Sequence, residues 1–319
     1  MLYRFIKVFA KPALSIYCRS LLINKRSVLA MEGPVLIASN HPNSFLDAIV
    51  MASLFKQPVY SLTRGDVFKK KFYDRLLRSL HMMPVYRISE GAENLEHNYS
   101  TFDFCKAIFK QKGIVLIFSE GSCVNEWKLR PLKKGTARLA LSCWEEGIPV
   151  KVLPTGINYN SFRSFGKNIK LNFGNIIEAS TIDKHDGHGK SIAAFNQKLE
   201  EELRSLVIDI DTKNTAEIKN QFAIKQPLLK KILLGLPAVA GAILFFPLYY
   251  PIQHTIWKKA VKTGHYDAIV VGLLFILSPV YLLLLCIVLY WLTHSMWSFL
   301  LFLIAPFLAW SYVQLKKQF

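Results

Sequence analysis

The chain has 319 residues, 52% of them hydrophobic, and carries 40 Lys and Arg against 22 Asp and Glu, a net charge of +18. So apolar a composition excludes an ordinary soluble enzyme, and the large charge of one sign points to a polyanionic partner, either nucleic acid or an anionic membrane surface. No nucleic-acid motif is present and the last third is apolar, which decides for an anionic lipid bilayer. The five cysteines, Cys18, Cys105, Cys123, Cys143 and Cys286, are scattered and lack Cys-x-x-Cys spacing. That argues against a disulfide framework and a zinc site, and fits a reducing compartment.

Residues 1–27 mix apolar side chains (Leu2, Phe5, Ile6, Phe9) with basic ones (Arg4, Lys7, Lys11, Arg19), with no uninterrupted apolar core. They read as neither a signal peptide nor a span, but as a basic amphipathic segment broken near Pro12 and lying on the membrane surface. A helix packed on the following domain is the alternative.

From residue 28 to about 215 short β runs alternate with helical patterns. The expected strands are Val35–Ala38, Val59–Thr63, Met83–Tyr86, Ile114–Phe118, Val150–Pro154 and Ile169–Phe173. The expected helices are Phe45–Leu54, Lys71–Leu80, Thr101–Gln111, Thr136–Glu146 and Ile192–Leu206. Such alternation predicts one α/β domain, a mostly parallel sheet flanked by helices. The polar stretch Asp183–Lys190 holds His185, Asp186 and His188; it reads as an exposed loop rather than a metal site.

The stretch Ile37-Ala38-Ser39-Asn40-His41-Pro42-Asn43-Ser44-Phe45-Leu46-Asp47 is the centre of the chain. It puts His41 where a strand's carboxyl end meets a helix start, the usual place for active-site groups in open α/β sheets. Asp47, one turn into the helix, is placed to hold the imidazole, fixing its tautomer and making the other nitrogen a better base. Ser44 followed by Asp47 is also a capping box, which alone would explain both residues.

Three further motifs end apolar strands. In Met83-Pro84-Val85-Tyr86-Arg87 the guanidinium of Arg87 is suited to a phosphate, and Arg64 is a second candidate at the end of its own strand. Ile117-Phe118-Ser119-Glu120-Gly121-Ser122 ends in polar residues and a glycine, Gly121, whose small size lets a substrate approach the backbone; the flanking glycines of a nucleophile elbow are absent. The basic run Lys128–Gly135, with Arg130 and Lys133, follows, and reads either as phosphate-binding or as a solvated turn. Ile148–Pro154 is by itself a buried strand and a turn. Cys123 reads as a small core or loop residue, with no second His placed to activate it.

These four blocks, over about residues 35–156, resemble the glycerolipid acyltransferases, the glycerol-3-phosphate and 1-acylglycerol-3-phosphate acyltransferases. The five residues between His41 and Asp47 are one more than in the commonest form of the family's motif and are similar to a branch that includes fungal glycerol-3-phosphate acyltransferases. Ser119-Glu120-Gly121-Ser122 resembles the family's Pro-Glu-Gly-Thr block, with Cys123 where an Arg commonly follows. The resemblance implies His41 and Asp47 as the catalytic pair and Arg87, Glu120, Gly121, Ser122, Arg130, Lys133 and Arg64 around the acceptor. It implies Pro154 at the acyl-donor region. It also implies a donor that is an acyl carrier protein or coenzyme A thioester or an acyl phosphate, with no cofactor and no metal. Another lyso-lipid acceptor, an amino-acid or sugar lipid, is the alternative within enzymes; a channel or transporter subunit is the alternative outside them.

Residues 216–319 form a membrane region with three apolar stretches, Ile232–Ile252, Ala268–Leu292 and Met296–Val313. The first contains Pro237, Pro247 and Pro251. Basic clusters stand at Lys225/Lys230/Lys231, Lys258/Lys259/Lys262 and Lys316/Lys317, with no Lys or Arg between the second and third stretches. If the first stretch is interfacial or re-entrant, all three clusters fall on one side, the arrangement that the positive-inside rule prefers. The expectation is an integral membrane protein whose α/β domain faces the cytoplasm, at the inner or plasma membrane if bacterial, followed by a Pro-broken interfacial segment and a transmembrane hairpin.

Overall fold

A computed structural model of the chain describes residues 2–86, 97–182 and 187–319. Among the described residues, seven strands form one sheet in the order β1-β7-β6-β2-β5-β3-β4. They are β1 (Cys18–Ile23), β2 (Val35–Ser39), β3 (Val59–Arg64), β4 (Met82–Val85), β5 (Ile114–Phe118), β6 (Lys151–Tyr159) and β7 (Lys167–Phe173). All neighbours pair in parallel except β6 and β7. Helices cover both faces: α1 (Leu2–Tyr17) and α2 (Phe45–Leu54) on one, α4 (His97–Lys110), α5 (Gly135–Glu145) and α6 (His188–Leu206) on the other. The short α3 (Lys71–Ser79) leads into β4.

The alternation of side chains along β2 explains the double cover. Val35 and Ile37 pack toward α2, while Leu36 and Ala38 pack toward α4–α6, all four fully buried. β5 does the same with Ile114 and Leu116 against Val115 and Ile117. A strand buried on both faces reads as an unbroken apolar run, which is how both appear in the sequence.

The N-terminal segment begins with the expected amphipathic helix but departs from expectation in its second part. It divides into helix α1 and strand β1, and β1 forms the sheet edge beside β7. Over six residues, mixed apolar and basic side chains fit a period of two as well as one of 3.6. Helix α1 runs through Pro12 and is packed on the domain. The ammonium of Lys7 donates to the carbonyls of Phe55, Lys56 and Gln57, closing the end of α2, and Tyr3 accepts from Val59 N–H. Phe5, Val8 and Phe9 remain exposed on the outer face.

Strand β6 does not end at Pro154 but runs on to Tyr159. Val152 donates to Ile177, so the nitrogen of Pro154, two residues on, faces the same side, where the ladder with β7 has not yet begun at Thr155. Proline's missing donor costs nothing there.

After a short helix α7 (Thr215–Phe222), capped by Asn214 accepting from Glu217 N–H, come α8 (Leu228–Ala260), α9 (Tyr266–Thr293) and α10 (Leu301–Leu315). Helix α8, α9 and the stretch Met296–Leu315 are each long and apolar enough to cross a membrane. The three prolines of the first do not interrupt it; α8 is one helix of 33 residues. It is tied to the α/β domain at both flanks and at one point within it. Before it, Ile224 bonds Gln318, which also bonds Asn168 of β7; in its middle, Tyr249 packs on Phe165; after it, Gly264 accepts from Asn125. The end of α10 is held to β1 by Arg19, which donates to the carbonyls of Gln314 and Lys316.

Candidate active site

The site lies at the carboxyl ends of β2 and β5. β2 stops at Ser39, and Asn40 pins the turn to β6 through a pair of bonds with the backbone of Ile157. His41 follows, with its ring stacked on Phe118 at 3.8 Å between centroids and its side chain 18% exposed. Its Nδ1 lies 2.8 Å from Asp47 Oδ2. Asp47 is fully buried, and its carboxylate is otherwise held by Asn43 N–H on Oδ2 (2.9 Å) and the Tyr159 hydroxyl on Oδ1 (2.8 Å). With Nδ1 occupied, Nε2 is the nitrogen left for a substrate, and it has no partner among the described residues.

The capping box does not form. Ser44 stands at the N-cap of α2, but its hydroxyl makes no bond to the helix; it bonds His265 Nδ1 at 2.6 Å instead.

Glu120 is 4% exposed and turned inward. Its two oxygens accept the backbone N–H groups of His41 (3.0 Å) and Arg130 (2.9 Å), so it ties the first motif to the basic run. Burial pushes its carboxyl above the ordinary carboxylate range, and the two N–H bonds pull the other way. Gly121 has φ +67°, and a Cβ there would meet Lys133 Cγ at 2.9 Å, so the glycine is needed for both backbone and space. Arg130 donates to Ser122 Oγ. Lys133 is exposed, and its ammonium has no partner among the described residues. Cys123 accepts Ser44 N–H, and burial pushes its thiol up to about 12, which leaves it without thiolate at neutral pH.

A family model described as Acyltransferase matches residues 21–158, which span β1 to β6 and contain the His41–Asp47 pair and the Glu120 loop. That match covers the part of the α/β domain that holds the pair and the loop. No curated protein matches the sequence significantly. Among solved structures, the domain is similar to that of the 1-acyl-sn-glycerophosphate acyltransferase PlsC from Thermotoga maritima, with 13% identity, a TM-score of 0.47, and coverage of 70% of this chain and 81% of that one.

In the α/β domain the structure brings His41, Asp47, Glu120, Gly121, Ser122 and Arg130 together. Arg64 forms a two-bond pair with Asp66 at the surface, and its charge is near enough to act on His265. Pro154 is buried in mid-sheet opposite Ala38. Arg87, His185 and Asp186 lie outside the described residues.

Four residues escaped the sequence reading: Tyr159, Lys167, His265 and Asp267. Asp267, 2% exposed at the start of α9, accepts from Asn43 Nδ2 (3.1 Å) and pairs with the buried Lys167 of β7. An acid opening a long apolar stretch was the one signal available. Tyr159 and Lys167 carried none, since only the fold brings their strands beside β2 and α9.

Proposed function

We propose that the protein is a membrane-bound O-acyltransferase of phospholipid synthesis. It moves a fatty acyl group from a coenzyme A or acyl carrier protein thioester, or from an acyl phosphate, to a hydroxyl of glycerol 3-phosphate or its 1-acyl form. The observation that carries this reading is the His41–Asp47 pair, with Nδ1 held at 2.8 Å by a buried carboxylate, inside the stretch that the acyltransferase family model matches.

An alcohol is a poor nucleophile at neutral pH. His41 Nε2 takes the hydroxyl proton as the oxygen attacks the acyl carbonyl, and Asp47 stabilises the imidazolium that results. The tetrahedral intermediate then expels the donor's thiolate (or phosphate), which receives the proton from His41. Such general-base help is typically worth about 10²–10⁴ in rate. The high-pKa, hydrogen-bonded Cys123 supports direct transfer without an acyl-cysteine. The cationic side chains of Lys133 and Arg130, beside the Glu120 loop, take the acceptor's phosphate, with Arg64 and Arg87 as further candidates.

The domain faces the cytoplasm. This is supported by where the basic clusters sit: Lys230 bonds Gln314, Lys316 bonds Phe165, and the turn that follows Lys258–Lys262 packs on Asn125. All three clusters thus accompany the α/β domain, as the positive-inside rule prefers for the cytoplasmic side. Cysteine-accessibility labelling at positions 225, 259 and 317 in sealed vesicles tests this; labelling of position 259 from the opposite side overturns it.

The activity test is transfer of labelled acyl groups by the purified full chain to glycerol 3-phosphate, its 1-acyl form and a phosphate-free lyso-lipid. Transfer to a phosphate-bearing acceptor that is lost in His41→Ala supports the reading. Activity that survives His41→Ala refutes the base assignment, and transfer to the phosphate-free acceptor alone refutes the phosphate roles.

A further inference from the structure

The turn between α8 and α9 is built into the active site as well as into the membrane region. Residues 42–44, which separate His41 from the start of α2, each reach it. Asn125 donates to Pro42 O at 2.7 Å and to Gly264 O at 3.4 Å, bridging the two turns. Asn43 Nδ2 donates to Asp267 Oδ2 at 3.1 Å, and Ser44 Oγ meets His265 Nδ1 at 2.6 Å. Asn43, Ser44 and Asp267 are all at most 2% exposed. Lys167 pairs with Asp267, so the carboxylate that receives Asn43 is itself fixed from β7.

Ser44 has φ +54° and ψ −141°, a conformation that L side chains adopt only where their surroundings enforce it. Two bonds do so here: its N–H on Cys123 Sγ at 3.0 Å and its hydroxyl on His265. The backbone this fixes is the one that matters for chemistry. Asn43 N–H donates to Asp47 Oδ2, the same oxygen that holds His41 Nδ1. We infer that His265 and Asp267 are positioning residues, which clamp the Asn43–Ser44 turn from the membrane region and through it hold the His41–Asp47 pair. The five-residue spacing between His41 and Asp47 then has a use: it makes a turn long enough for side chains 43 and 44 both to grip the α8–α9 turn. The inference rests on His41 being the base, and makes the membrane helices part of the catalytic scaffold as well as an anchor.

The test uses the full chain in detergent, with palmitoyl-coenzyme A and 1-acylglycerol 3-phosphate or glycerol 3-phosphate as probes. The variants are His265→Ala, His265→Asn, Asn43→Ala, and Thr293→Ala at the far end of α9 as control. A second readout needs no turnover: the rate of maleimide labelling of Cys123, read on its own peptide, reports whether the Ser44 turn is held. His265→Ala and Asn43→Ala are expected to lower kcat about 10- to 100-fold, as displacement of a catalytic group of about 1 Å does. KM should stay within about 2-fold, and Cys123 labelling should be several-fold faster. His265→Asn, whose amide sits near the place of Nδ1, should restore both, and Thr293→Ala should change neither. Unchanged kcat and unchanged Cys123 labelling in both His265→Ala and Asn43→Ala overturn the inference. Activity surviving in His41→Ala would instead overturn the base assignment, with Cys123 labelling still reporting on the clamp.

Discussion

Replacing Asp47 by Asn separates charge from geometry at this site. Asn43 N–H and His41 Nδ1 both face Oδ2, so the new amide oxygen is expected to take that position and keep both bonds. The amide nitrogen then faces the Tyr159 hydroxyl, which turns to accept. The imidazole keeps its orientation and tautomer, and only the negative charge is lost. Two unit charges roughly 4 Å apart at an effective dielectric near 20 attract by about 4 kcal/mol. The imidazolium is partly formed in the transition state, so about 2–4 kcal/mol is at stake, or roughly 30- to 10³-fold in kcat. Steady-state kinetics of acyl transfer by the purified variant should show that loss in kcat, with the acceptor KM within about 2-fold of wild type. A kcat within about 3-fold of wild type, or a loss expressed only in KM, would mean that Asp47 does no more than organise the start of α2.

Three other perturbations follow from the same geometry. Tyr159→Phe removes one donor from a fully buried carboxylate; hydrogen bonds to charged groups are worth about 1.5–3 kcal/mol, and unfolding in detergent should show a loss of that order. His265 has its protonation disfavoured by burial and then by the charges of Arg64 and His41, so its folded value lies below the ordinary 6.5. The unfolded chain therefore takes the proton first, and stability should be full above about pH 6.5 and decline below it, a decline that should be smaller in His265→Asn; identical pH profiles of melting temperature would contradict this. Lys133→Ala and Arg130→Ala should each raise KM for a phosphate-bearing acceptor about 10-fold with little change in kcat, and an unchanged KM in both would remove them from the phosphate site.

The sequence by itself determined the elements whose burial is uniform. Strands β2 and β5 appear as unbroken apolar runs because both of their faces are covered, and α2 and β5 have the bounds expected of them. The apolar stretches that became α8, α9 and α10 were legible as well, because they are apolar on every side, although the prolines of the first did not break it as expected. So was the His41–Asp47 pair, because its members are six positions apart on one strand–turn–helix unit, where local geometry alone brings them close. What only the tertiary structure decided involves residues whose partners are distant in the chain. Glu120 looked like a substrate contact, yet it ties two backbone N–H groups across two loops. Cys18–Ile23 became a strand because β7 offered an open edge, which no pattern within six residues announces. Tyr159 reaches Asp47 from 112 positions away, and Asp267 reaches Asn43 from 224. Long-range contacts of buried polar groups follow from which elements pack together, and that is fixed by the summed burial of the whole chain rather than by any stretch of it.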